Sequence, residues 1–214
     1  MSDLLLPDED TAADLATYLA RARRVDPDGA ARLVAAGATL AVYVSPVHGG
    51  GGPTVIGLRV LALAEPATAD RTVPMAALSD RLARPVAASG PVRLALPPMD
   101  AADAGWAGVG PPRSGWQAVG TVDAAALGDA ARAGIEEIAA GAGQGAGSAV
   151  VSRLRALVWG RDMVSVPGLA AGAAFAVESL GFLGSDDPVT LHAAGPWQRL
   201  SSVRGHVLVR RSML

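Results

Sequence analysis

Apolar residues run almost unbroken from 163 to 183, MVSVPGLAAGAAFAVESLGFL, with Glu178 the one charge inside the run. Leu169, Ala173, Ala176, Val177 and Leu180 recur at helical spacing, and Pro167 suits a first helical turn, where its missing N–H costs nothing. Alanine and glycine at 170–174 leave little bulk, so neighbours can approach closely. A helix apolar on nearly every side belongs inside a fold, and the sequence predicts a central buried helix over this stretch. A membrane span needs roughly 20 mostly apolar residues. This run has that length, but Glu178 interrupts it, alanine and glycine dominate it, and no basic cluster flanks it. The buried-core reading is therefore preferred.

The rest of the chain alternates between two periods. A helix is expected over 7–24, acidic at its start and basic at its end, with Leu15, Tyr18, Leu19 and Ala22 as its inner stripe. A short helix is expected over 28–36, closed by Gly37. Strands are expected at 39–44 and 54–64, joined through His48 and the glycine tip 49–52. A helix over 72–84 and a short strand over 92–96 follow. Residues 99–114 read as a loosely held loop rich in glycine, proline and alanine. A strand over 115–122 leads to helices over 123–140, with Leu127, Ala131, Ile135 and Ile138 inward, and 148–159, with Val151, Leu154, Leu157 and Val158 on one side. Closing strands are expected over 189–193 and 199–210, turning at Gly195-Pro196 and Arg204-Gly205.

This order lacks strict strand–helix alternation. It predicts an α+β fold, an antiparallel sheet with helices packed on one face around the central Ala/Gly-rich helix. The expected layout is a helical and β-hairpin part over 1–98, a loop over 99–114 and an α+β part over 115–214, together one compact domain. A chain of 214 residues can bury roughly 70% of its unfolded surface, enough for a full core.

Composition narrows the chemistry. There is no Cys, so disulfides and thiolate chemistry are excluded. There is no Lys either, which removes Schiff bases and the P-loop lysine, and all 18 basic residues are Arg. Asn is also absent, and the abundance of Ala, Gly and Arg follows GC-rich codons. The acidic start MSDLLLPDED does not resemble a signal peptide, and a bacterial cytoplasmic protein is expected. With a net charge of −2 and scattered Arg, neither nucleic acid nor membrane is expected as a partner.

His48 and the four glycines after it resemble an oxyanion loop, but no G-x-S-x-G nucleophile elbow occurs, so a hairpin tip is the reading. The run GAGQGAGS at 141–148 could cradle an anion, yet it follows a helix rather than a strand and reads as a connector. His48, His192 and His206 lack close ligand spacing, and Glu136-Glu137 and Asp186-Asp187 read as a solvated face and a turn. No metal and no cofactor is expected.

The ligand-binding candidates are Glu178, Trp197, Arg199, Arg204 and His206. Alternation places Trp197, Arg199 and Ser201 on one strand face, and His206, Leu208 and Arg210 on one face of the next. Arg204 and His206 could bind a carboxylate or phosphate, or could pair with Glu178. Catalytic residues are not assigned. The motifs RSGWQAVG (113–120), LRALVWGR (154–161), AAFAVESLGFL (173–183) and WQRLSSVRGHVL (197–208) resemble a family of uncharacterised proteins from high-GC bacteria. The resemblance covers about the last half of the chain and carries no activity.

Two functions are thus open: a non-catalytic binding or assembly module, which is preferred, or an enzyme using Arg204, His206 and Glu178 on a small anionic substrate. Four Trp beside two Phe and two Tyr offer anchors for a self-interface, so a homodimer is expected.

Overall fold

The computed structural model describes residues 3–49, 51–83, 90–101, 104–108, 110–143, 147–184 and 188–210. Arg84, Gly50, Gln144, Gly145, the acid pair Asp186-Asp187 and the chain's last four residues lie outside them.

The fold is α+β. Helices α1 (Glu9–Val25), α2 (Met75–Leu82), α3 (Ala124–Ala142), α4 (Ser148–Gly160) and α5 (Ala171–Ser179) accompany two sheets. Strands β1 (Leu4–Leu6) and β4 (Val92–Leu94) pair antiparallel, with Leu4 opposite Leu94. The larger sheet has the order β2-β3-β8-β7-β6-β5, built from β2 (Ala30–Val47), β3 (Thr54–Pro74), β5 (Gln117–Val122), β6 (Val189–Ala194), β7 (Trp197–Ser202) and β8 (Gly205–Arg210). The described residues form two compact units. One contains Met1–Ser45 and Leu58–Val109; the other contains Pro46–Gly57 and Gly110–Leu214.

In the first unit, Asp8 caps α1 by accepting from the Thr11 N–H at 2.7 Å. That bond holds its carboxyl below the ordinary range. Leu15, Tyr18, Leu19 and Ala22 are the buried stripe, as the periodicity predicts. Residues 30–36 are strand rather than the expected short helix. Leu33 and Ala35 point inward with Ala31, at period two, while Leu40, Val42 and Val44 continue the inner face one position out of phase. The slip occurs at Gly37, whose φ of 60° lets the strand absorb an extra residue instead of ending a helix. Strand β3 likewise runs on to Pro74, past the expected end at 64.

The 99–114 stretch is better anchored than its composition suggests. Arg71 pairs with Asp100 at 2.7 Å, the Ala101 N–H donates to the Thr72 carbonyl, and Arg32 donates to the Ala107 carbonyl at 2.6 Å. Trp106, in the 3-10 turn Gly105–Gly108, is buried.

In the second unit, α5 is the expected central helix, with Gly172 through Val177 buried. It is shorter than predicted. Residues 162–170 form a turn instead, in which Asp162 accepts from the Gly168 N–H at 2.9 Å and bridges antiparallel to Ala170. Gly168 takes φ of 93°, so Pro167 precedes a left-handed residue rather than opening a helix. Gly172 lets the α5 backbone approach α4, since a Cβ there would stand 3.1 Å from the Trp159 carbonyl oxygen. The Trp159 and Phe175 rings stack with centroids 4.5 Å apart. No helix among the described residues is long and apolar enough to cross a membrane.

Candidate functional site

The closing strands build one face with concentrated donor chemistry. The tight turn at Gly195, φ 54°, sets the β6–β7 register, in which Ala194 opposes Trp197 and His192 opposes Arg199. Strand β8 then places His206 against Ser201, Leu208 against Arg199, and Arg210 against Trp197. Residues paired across an antiparallel ladder share a face. Trp197, Arg199, Ser201, His192, His206, Leu208 and Arg210 therefore lie together. The opposite face carries Leu200, Val207 and Val209. There a Cβ on Gly205 would stand 2.5 Å from the Phe182 ring, so that side meets the segment following α5.

Trp197 and Leu208 are buried, and the polar members of the face are half-buried. The Arg199 guanidinium sits over the Trp116 ring, 4.6 Å from its centroid. The Trp116 indole N–H donates to the Pro112 carbonyl at 2.9 Å, which holds the ring in place. Burial pushes the Arg199 guanidinium below its ordinary pKa. Arg199 Nε and His192 Nδ1 are shielded from solvent and lack hydrogen-bond partners among the described residues. His206 Nδ1 lies 3.0 Å from Ser201 Oγ.

Of the sequence candidates, the fold gathers Trp197, Arg199 and His206 on this face and leaves two elsewhere. Arg204 is exposed in the β7–β8 turn, where its backbone N–H donates to Ser202 Oγ. Glu178 corrects the expectation of a buried, paired carboxylate. It is exposed in the last turn of α5, beside Gly128 of α3, and makes no ion pair among the described residues. Arg161 pairs with Glu137 instead. Glu178 thus belongs to the helix side of the sheet and His206 to the other, so the three-residue arrangement expected for an enzyme is not assembled. His192 and Trp116 are the members that sequence reasoning left out. Counting outward from Gly195-Pro196 pairs 192 with 199, so His192 was reachable from the turn; the return of Trp116 over the sheet has no sequence signal.

A second feature lies on the helices. Ile135, expected inward, is 46% exposed, and Val150 and Leu157 are 56% and 62% exposed. Val150 and Leu157 lie seven positions apart on one outward line of α4, while Leu154 between them is half-buried and reaches Gly141 of α3. None of the four tryptophans is exposed, so the exposed apolar side chains of this unit are aliphatic: Ile135, Val150 and Leu157 together with Val119, Val164 and Val203.

The architecture has counterparts among solved structures. It is similar in fold to bacterial sliding clamps. The crystal structure of the DNA polymerase sliding clamp from Caulobacter crescentus matches 99% of this chain and 66% of its own, with TM-score 0.53 and 13% identity. The Caulobacter crescentus pol III beta structure gives TM-score 0.52 at 14% identity over the same shares. The chain thus spans just under two thirds of those clamp chains. By sequence, residues 1–105 match the family model "Domain of unknown function (DUF8010)", and residues 111–214 match "Domain of unknown function (DUF8185)". No curated protein matches the sequence. The clamp-like fold also withdraws the exclusion of nucleic acid from the expected partners, since the solved chains that share the fold are DNA polymerase sliding clamps.

Proposed function

We propose that the chain is a non-catalytic assembly module of the bacterial cytoplasm, a clamp-like protomer that associates with a second copy of itself. The observation that carries this reading is the outward stripe of α4, where Val150 and Leu157 leave more than half of their surface in solvent. Exposed apolar side chains in line on a helix gain by being covered in a partner's interface. The clamp-like fold supports assembly, and the separation of Glu178 from His206 removes the main argument for the enzyme. A two-fold pairing is the simplest closed arrangement, because one stripe then meets its own copy. The Lys-free and Asn-free composition supports a high-GC bacterial source.

The test is mass in solution. Light scattering at tens of micromolar, roughly the range in which modest interfaces are populated, is expected to give a dimer. Leu157→Glu is expected to give a monomer with an unchanged melting temperature, since that side chain contributes little to the core. A monomeric wild type overturns the reading, as does a Leu157→Glu variant that still dimerises.

The clamp likeness favours a second reading, contact with duplex DNA. Helix α4 carries Arg153 and Arg155 and no acid, whereas α3 carries Asp129, Glu136 and Glu137. Fluorescence anisotropy with a labelled duplex is expected to show binding that weakens steeply between about 50 and 200 mM salt. A flat response at the lower salt removes this reading.

A further inference from the structure

Arg199 occupies an unusual position. Arginine carries five donors and a charge that is never lost, so a shielded guanidinium is ordinarily matched by a carboxylate or by carbonyls. Here it is half-buried and meets an aromatic ring, while its Nε–H has no acceptor among the described residues. Its cross-strand neighbour His192 presents a second unmatched ring nitrogen. Cross-strand partners stand about 5 Å apart at Cβ, close enough to share one ligand.

The surroundings point to the sign of that ligand. Ser201 lies two residues along on the same face, paired with His206. Arg210 opposes Trp197 one pair further on. No Asp or Glu occurs on this face along the described β6, β7 and β8. Trp116 roofs one side and is itself held by the Pro112 carbonyl, so the guanidinium plane is oriented before any ligand arrives.

From this geometry we infer that the Arg199–His192 face, roofed by Trp116, is a binding site for a phosphate group. A carboxylate offers two coplanar oxygens, which one arginine fork satisfies. A tetrahedral phosphate also has oxygens left for donors arriving from His192, Ser201 and Arg210. The inference is independent of self-association, since it uses the sheet face and not α4.

The experiment is a titration of the full chain with inorganic phosphate, read by tryptophan fluorescence, with acetate as comparator. Phosphate is expected to give a saturable change that Trp116→Phe abolishes, and acetate a weaker one. Arg199→Gln is expected to weaken binding about tenfold or more, the loss for one charge-assisted pair. His192→Gln is expected to weaken it several-fold, which keeps the test open should Arg199→Gln fail to fold. Arg93→Gln, which alters an exposed pair with Asp3, should bind as wild type does. A short single-stranded oligonucleotide separates the sources. Binding that inorganic phosphate competes away and Arg199→Gln loses places the phosphate in a nucleic-acid backbone. Phosphate binding that the oligonucleotide does not disturb assigns the site to a free or small-molecule phosphate. Absence of any saturable phosphate response, or equal affinities for wild type, Arg199→Gln and His192→Gln, overturns the inference.

Discussion

Gly134 of α3 lies against the Trp159 indole so closely that a Cβ built on it would stand 2.2 Å from Trp159 Cζ3. Trp159 is almost fully buried and stacked on Phe175, so the ring has nowhere to retreat. Alanine normally gains about 1 kcal/mol over glycine inside a helix. Here the clash outweighs that gain, because overpacking a tight core costs about 1–3 kcal/mol or more. Gly134→Ala is expected to lower the melting temperature by on the order of 5 °C, the shift that a net loss of about 2 kcal/mol gives in a chain of this size. A thermal melt that rises instead would mean that α3 and α4 are further apart than described.

Arg32 joins β2 to two other segments of its unit. Its Nε and one terminal nitrogen donate to the two oxygens of Asp70, each at 2.8 Å, and its other terminal nitrogen donates to the Ala107 carbonyl at 2.6 Å. The Asp70 hydrogen bonds hold the guanidinium above its ordinary pKa. Lysine keeps the charge but cannot span a fork and a carbonyl at once. Arg32→Lys is expected to cost about 1 kcal/mol, the net contribution of a typical hydrogen bond. It should also speed amide exchange around 104–108 by severalfold. Unchanged exchange there would show that Trp106 alone anchors the segment.

Tyr18 gives the fold an alkaline limit. Its ring is buried under α1 and its hydroxyl donates to the Val42 carbonyl at 3.4 Å. Burial raises its pKa well above the usual tyrosine value. The folded state therefore holds the proton more tightly than the unfolded chain. This group leaves stability unchanged below the unfolded pKa of about 10. Stability then falls as pH rises from there toward the folded value. Denaturant midpoints above pH 10 should decline for wild type and less steeply for Tyr18→Phe; parallel declines would assign the effect to other groups.

Element types were legible where periodicity was long. The inner stripe of α1 and the alternation of β6 to β8 follow directly from side-chain spacing. Residues 30–36 were not, because Ala, Leu and Arg favour helices and Gly37 imitates a helix stop. Strand pairing overrode that local preference, and the phase slip at Gly37 disguised the period of two. Ile135 and Leu157 misled in another way. Periodicity identifies an apolar stripe but not whether anything within the same chain covers it. The site was half legible: hairpin geometry fixes Arg199, Ser201 and His206, whereas the Trp116 roof depends on a loop whose path no periodicity records.

The segment from Asp162 to Glu178 departs furthest from the helix its apolar pattern predicts, and two substitutions separate turn from helix. Had 163–183 been one buried helix, Glu178 would have needed a buried partner, and Glu178→Gln would have been costly. It is exposed instead, and changes at such surface positions stay within about 0.5 kcal/mol. Glu178→Gln is thus expected to melt as wild type does. Gly168 carries the opposite expectation. In a helix, Gly168→Ala would stabilise by about 1 kcal/mol. At φ of 93°, with its N–H committed to Asp162, the added Cβ is strained, and the same change should destabilise by about 1 kcal/mol or more. Thermal melts of the two variants together decide the matter. A neutral Glu178→Gln with a destabilised Gly168→Ala supports the turn over 162–170, and the reverse pair of results would restore the long helix.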